Sequence, residues 1–410
     1  MSTSVSAALH AVRGQYVAAV VVLVGAMALA IPMAQQDGVF AALWGLGLAA
    51  GFTLQRSRFC FASAFRDLFL FGSARIMKAI LLGLAVATVG FAAIMRAAVP
   101  FPGLDLLPPQ AHVLPVGMST VLGGLLFGYG MVLSGGCVSG SLYRAAEGYV
   151  ASWVSLAGVV VGLGVISQTW NWWWTALISA EPKIWLPGIA GLGYAGAIAL
   201  TLAGLVGAFV FLIWWEARAG VVASAATSSA PAISFRERIA QVSHAVFVRG
   251  WPAPVGGAAL GGIVVVMYTI HMPWGVTGEL SRWANAAMTL VGAAPAEALG
   301  LNDIGGCAAL AQETGLFAHT FSVAVGVLPG ALFGALLAKE FKLRFPRNPV
   351  RYAQSLGGGV LMGLGAGLAI GCTIGAFFSA IPSLSISGWL FAAALAGGSY
   401  LGVQTIRRIP

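Results

Sequence analysis

The sequence predicts an all-α polytopic membrane protein, with about ten transmembrane helices in two inverted repeats and short re-entrant helices that carry cysteines. Three observations predict it. The 410 residues are 59% hydrophobic and only 8% charged, whereas a soluble domain carries about 25% charged residues. Apolar runs long enough to cross a hydrocarbon core of roughly 30 Å recur along the whole chain. One stretch also occurs twice, as GGLLFGYGMVLSGGCVSG at 123–140 and GGVLMGLGAGLAIGCTIG at 358–375. At a constant offset of 235, Gly123, Gly124, Leu126, Gly128, Gly130, Gly136, Cys137 and Gly140 recur as Gly358, Gly359, Leu361, Gly363, Gly365, Gly371, Cys372 and Gly375.

The first apolar run, 15–34, has Arg13 as its basic flank, is followed by QQDG and lacks a small-residue cleavage pattern, so it reads as a retained span. Further spans follow at 38–54, 76–97, 113–133, 149–169 and 188–215, then at 253–272, 316–338, 355–373 and 386–404. With ten spans and both termini cytoplasmic, 18 of the 21 lysines and arginines fall inside, and only Arg96, Lys183 and Arg282 fall outside. This is the positive-inside pattern of a multi-pass protein of a bacterial inner membrane. It accounts for the net charge of +9 through a lipid bilayer, with no nucleic acid as partner. Trp170, Trp172, Trp173 and Trp174 then lie at the outer interface, where amphipathic rings settle. A stacking platform for a ligand is the functional alternative.

The same topology makes the two copies antiparallel. The span before Cys137 runs outside to inside and the span before Cys372 runs inside to outside, which is an inverted repeat about an axis in the membrane plane. Residues 1–37 form an additional N-terminal transmembrane helix, 38–215 the first repeat, 216–252 a Ser/Ala-rich cytoplasmic linker with one short surface helix, and 253–410 the second repeat. Cys60 precedes Cys137 by 77 residues and Cys307 precedes Cys372 by 65, so each half contributes a cysteine pair.

The segments 57–72, 134–147, 276–290 and 371–381 are too short and too broken by Gly and Ser to be full spans. They read as re-entrant or half-helices, which membranes tolerate only inside protein or along a cavity. Their open N–H groups favour an anion. Gly358, Gly359 and Gly363 read as close helix packing, whereas Gly136 and Gly371, each beside a cysteine, read as close approach by a ligand.

Four cysteines can be disulfides, metal ligands, inert core residues or the lining of a path. No two are adjacent in the expected loops, there is no CxxC, and His10, His112, His244, His271 and His319 are dispersed, so disulfides and a zinc site have little support. Free cysteine is often buried as a small hydrophobe. Glycine-flanked cysteines at corresponding positions of a repeat favour a thiol-lined path instead. A neutral thiol is a soft donor suited to a polarisable sulfur, and a thiolate would repel an anion. Arg66/Asp67 and Arg144/Glu147 read as local ion pairs that cap short helices, or else, with Arg58, as an electropositive mouth. No nucleotide motif or buried carboxylate ladder is present, and nothing calls for a cofactor.

RSRFC at 56–60, LSGGCVSG at 133–140 and AIGCTIG at 369–375 resemble the YeeE/YedE family, over most of residues 38–404. The resemblance implies an hourglass of inverted repeats and uptake of thiosulfate by a carrier rather than an enzyme. It implies a relay of S–H···S hydrogen bonds along Cys60, Cys137 and Cys372, with Cys307 an addition to the family's pattern. It also implies a cytoplasmic sulfur-carrier or sulfurtransferase protein as partner. Transport of selenium compounds or sulfite, or a membrane thiol sulfurtransferase, are the alternatives.

Overall fold

The structure, a computed structural model, describes residues 2–103, 106–189, 191–220, 246–247, 249–301, 304 and 317–408, with side chains from Gly14 onward. In chain order the helices are α1 (Ser2–Gln36), α2 (Gly38–Ser57), α3 (Phe61–Phe71), α4 (Arg75–Ala98), α5 (Met118–Ser134), α6 (Val138–Ala146) and α7 (Val150–Ala176). There follow α8 (Gly193–Arg218), α9 (Ala253–Ile270), α10 (Thr277–Leu290), α11 (His319–Leu337), α12 (Val350–Leu368), a π-helical turn (Thr373–Ser379) and α13 (Ile386–Arg408). The linker expected at 216–252 falls mostly outside the described residues.

A helix stands at each of the ten expected spans. Among the described residues nine helices are long and apolar enough to cross a membrane, or ten if α12 and the π turn, which meet at 47°, form one span. A short helix also stands at each of the four cysteine- or glycine-rich breaks. Two of these, α3 and α6, are broken continuations of α2 and α5. The boundaries moved where local chemistry overrides hydropathy. The span expected from 113 begins at Met118, because Pro115 and an extended Gly117 precede it. The span expected to end at 169 runs on to Ala176 and takes all four tryptophans into α7.

Between apolar helices in lipid the hydrophobic effect supplies little attraction, so packing depends on close backbone approach. Glycine provides it at every major crossing. An added Cβ at Gly51 of α2 would lie 2.1 Å from the Val327 carbonyl oxygen of α11, and one at Gly257 of α9 would lie 2.0 Å from that of Ala79 on α4. The helices α7 and α12 interlock through Gly158, Gly162, Gly359 and Gly363, and α5 and α13 through Gly128 and Gly398. These four pairs run parallel. The helices α5 and α12 cross antiparallel, with Gly123 against Gly365 and Gly130 against Gly358. The outer faces of α1 and α8 stay apolar and exposed, at Val20, Val24 and Met27, and at Val206 and Val210.

Loops tie the helix ends together in two groups. At one end Trp251 N–H donates to the Arg56 carbonyl (2.8 Å), Arg344 N–H to Gly148 (2.8 Å) and Val150 N–H to Arg344 (3.2 Å). At the other end Val116 N–H donates to Pro182 (2.9 Å) and Leu186 N–H to Leu384 (2.9 Å).

Candidate functional site

Three helices stop in the same way. α2 is capped by Arg58 at φ 50°, α5 by Gly135 at φ 82°, and α12 gives way to Ile370 at φ 57°. Each of these left-handed residues lies two positions before a cysteine. Cys60, Cys137 and Cys372 each then occupy the extended N-cap of the next helical turn, that of α3, α6 and the π turn. Left-handed backbone costs a non-glycine residue roughly 1 kcal/mol or more, so Arg58 and the β-branched Ile370 hold a conformation their own chemistry disfavours. The equivalent N-cap of α10 is Val276, and Cys307 lies outside the described residues.

All three described cysteines are reduced and fully buried. Cys60 Sγ and Cys137 Sγ lie 4.0 Å apart. Gly140, one turn into α6, permits this contact. A Cβ there would stand 2.6 Å from Cys60 Sγ and 3.2 Å from Cys137 Sγ. Cys137 Sγ also accepts from the Gly140 N–H (3.3 Å) and lies 3.4 Å from Ser139 Oγ.

Cys372 makes no side-chain cap hydrogen bond at the π turn it precedes. Phenylalanines of α3 and the π turn pack against one another. Phe61, next to Cys60, meets Phe59 at 5.5 Å and Phe378 of the π turn at 5.5 Å between centroids, and Phe377 at 6.1 Å. The π turn is held from outside. His112, fully buried, lies with Nδ1 3.0 Å from the Gly375 carbonyl, and its own N–H donates to Ser383 Oγ (3.1 Å). Burial pushes the His112 imidazole down to about 4, which leaves it neutral with Nδ1–H as the donor. Ser379 Oγ donates to the Trp274 carbonyl (3.0 Å).

The two glycines beside cysteines are confined by their own turns. A Cβ on Gly136 would meet Ser141 Oγ at 3.2 Å, and one on Gly371 would meet Ala376 N at 2.9 Å. The basic residues separate into two classes. Arg58 pairs with Glu340 (2.8 Å) and Arg66 with Asp67 (2.8 Å). Arg144, expected to pair with Glu147, instead donates to the Gly135 carbonyl and to Ser63 Oγ (3.3 Å). Glu147 accepts from Gln55 Nε2 (3.1 Å), whose other N–H donates to Glu340 (2.9 Å). Burial raises the Glu147 carboxyl, and the Gln55 bond opposes that shift. Among the described residues no cluster of three metal-ligating side chains occurs.

Sequence reasoning missed Gly140, the phenylalanine cluster and His112. The first had a usable signal, since Gly140 and Gly375 both belong to the repeated Gly-Cys-x-x-Gly.

Comparison with known proteins gives one family, described as sulphur transport, whose model matches residues 56–401. The chain is similar to the thiosulfate transporter TsuA of Spirochaeta thermophila, at 32% identity over 84% of this chain and 92% of that protein. It is similar to the thiosulfate transporter TsuA of Escherichia coli, at 27% identity over 84% of this chain and 88% of that protein. It is also similar to the probable transporter YedE of Salmonella typhimurium, at 36% identity, over 47% of this chain and 44% of that protein.

Proposed function

The chain belongs to the sulphur-transport family, and we propose that it carries a sulfur-containing anion, thiosulfate first, across a bacterial inner membrane with both termini cytoplasmic. Cys60, Cys137 and Cys372 are the thiols of the path. The observation that carries this reading is the Cys60–Cys137 pair, two reduced, fully buried sulfurs at 4.0 Å, each at a helix N-cap. A soft sulfur atom presented to neutral thiols makes several weak contacts rather than one strong one, which is what release at each step requires. The helix N-termini offset the anion's charge. The relatives named as thiosulfate transporters support the choice of cargo.

The helix packing supports two inverted repeats. If α2 and α4 correspond to α9 and α11, the pair α2–α11 has its counterpart in α4–α9. If α5 and α7 likewise correspond to α12 and α13, the pair α7–α12 has its counterpart in α5–α13, and α5–α12 maps onto itself. On this axis α6 and the π turn begin at 138 and 373, the same offset of 235 that relates the repeated sequences. A cytoplasmic sulfur-carrier protein or sulfurtransferase is the partner that would take the product.

The test is thiosulfate-dependent growth of a sulfur-auxotrophic bacterial strain that expresses this chain. Growth on thiosulfate that disappears with Cys137→Ser at matched expression supports the reading. Growth of Cys137→Ser equal to the parent's sinks the thiol path. No growth with the parent sinks the cargo.

A further inference from the structure

We infer that Arg144 is the residue that holds the charge of the transported anion beside the Cys60–Cys137 pair. This rests on the proposed function and gives a specific role to a residue that the sequence offered only as a local ion pair or part of a basic mouth.

Arg144 lies seven residues after Cys137 on α6, two turns on and on the same helix face. Helical side chains lean toward the N-terminus, and this one reaches back to the Gly135 carbonyl, two residues before Cys137. Its second nitrogen donates to Ser63 Oγ, in the first turn after Cys60. The guanidinium therefore spans the two helix breaks whose cysteines touch, while Gly140, between Cys137 and Arg144 on α6, lies against both sulfurs.

The hydrogen bonds and ring contact of Arg144 are with neutral groups, a carbonyl, a hydroxyl and the Tyr143 ring at 5.9 Å, and Glu147 attracts it from beyond ion-pair distance. Among the described residues no carboxylate lies within ion-pair distance of it. Arg144 is half-buried, and a guanidinium on a membrane-depth helix whose close partners are all neutral marks a substrate path. The fork geometry matches the oxygens of an oxyanion, which leaves the outer sulfur of thiosulfate for the thiols.

The corresponding turn of the second half carries no charge at this position. At the offset of 235, Arg144 is replaced by Ser379, whose hydroxyl is taken by the Trp274 carbonyl. Glu279 on α10, a buried carboxylate of this half, pairs with Arg282 (2.7 Å) and accepts from Thr320 Oγ1 (2.8 Å). The anion is thus held at Cys60 and Cys137, and Cys372 is passed without a charge partner.

The experiment is titration of the purified full chain in detergent with thiosulfate by calorimetry, with thermal stability measured in parallel. The variants are Arg144→Lys, Arg144→Gln and Ser63→Ala. Loss of a charge-assisted contact predicts binding about tenfold weaker or worse in Arg144→Gln. Arg144→Lys keeps the charge but not the fork and retains an intermediate affinity, and Ser63→Ala, which removes one of the hydrogen bonds that place the guanidinium, weakens binding less than Arg144→Gln. Binding by Arg144→Gln equal to the parent's overturns the inference. So does equal loss of affinity and of melting temperature in the Lys and Gln variants, which makes Arg144 a structural clamp. A parent that binds no thiosulfate shows its failure before any variant is read, and removes the proposed function and this inference together.

Discussion

Cys60 and Cys137, 77 residues apart in the chain, bring their sulfurs to 4.0 Å because Gly140 has no side chain to separate them. Two helix breaks, each made by a left-handed residue two positions before its cysteine, meet at that contact. Gly140 therefore bears on function as much as the cysteines do. In Gly140→Ala the new methyl group would stand 2.6 Å from Cys60 Sγ. Overpacking of this kind costs about 1–3 kcal/mol and moves the neighbours apart. Radiolabelled thiosulfate uptake should fall about tenfold or more on that scale, with the protein still present in the membrane at parental levels. Uptake at the parental rate would mean that the sulfur contact is incidental.

The same proximity predicts selective oxidation. A mild thiol oxidant should link Cys60 to Cys137 and leave Cys372 reduced, since among the described cysteines only the first pair is in contact. Peptide mapping should find one intrachain bridge, absent from Cys60→Ser, and a reductant should restore uptake. A bridge from Cys372 to either of the others would contradict the arrangement.

Glycine on α2 has two roles that substitution should separate. Gly51 faces α11 with the Val327 carbonyl 2.1 Å from where a Cβ would be, whereas Gly45 has nothing within 4 Å. Gly51→Ala should abolish the monodisperse peak in size-exclusion chromatography. Gly45→Ala should leave it intact and gain about 0.5–1 kcal/mol from helix propensity. Similar behaviour of the two variants would refute the close-packing account.

Acid stability should report His112. Burial holds its imidazole at about 4, below the ordinary value of about 6.5. Between these values the unfolded chain binds a proton that the folded chain refuses, so the stability is full above the upper value and falls as the pH drops toward the lower one. The loss approaches about 3 kcal/mol at the acid end. Melting temperatures of the parent and His112→Asn in detergent should converge as the pH is lowered from 7 to 4. A parallel pair of curves would show that His112 does not titrate in this way.

Spans and breaks were legible in the sequence because hydropathy, length and Gly/Ser interruption are local. The run 38–54 needs no partner to be read as apolar, and α2 ends close by at Ser57. The roles of Gly358, Gly359 and Gly363 were legible for a related reason, since small residues in an apolar run have few other uses. What the chain did not reveal is tertiary. The contact of Cys60 with Cys137 depends on how α3 and α6 meet, and their sequences alone do not encode a distance. Arg144 and Glu147 stand three apart, a spacing that favours a helical ion pair. Yet Glu147 is the C-cap of α6 and turns to Gln55, while Arg144 turns back toward Gly135. His112 was one dispersed histidine among five until the loop before α5 was seen against the π turn.

The central claim is that a sulfur anion passes along buried neutral thiols. Its most direct test is radiolabelled thiosulfate uptake into proteoliposomes that contain the purified chain, compared with Cys60→Ser, Cys137→Ser and Cys372→Ser at equal reconstitution. Parental uptake that each of the three substitutions abolishes is the predicted result. Parental uptake that survives all three would contradict the claim and leave a transporter whose path runs elsewhere.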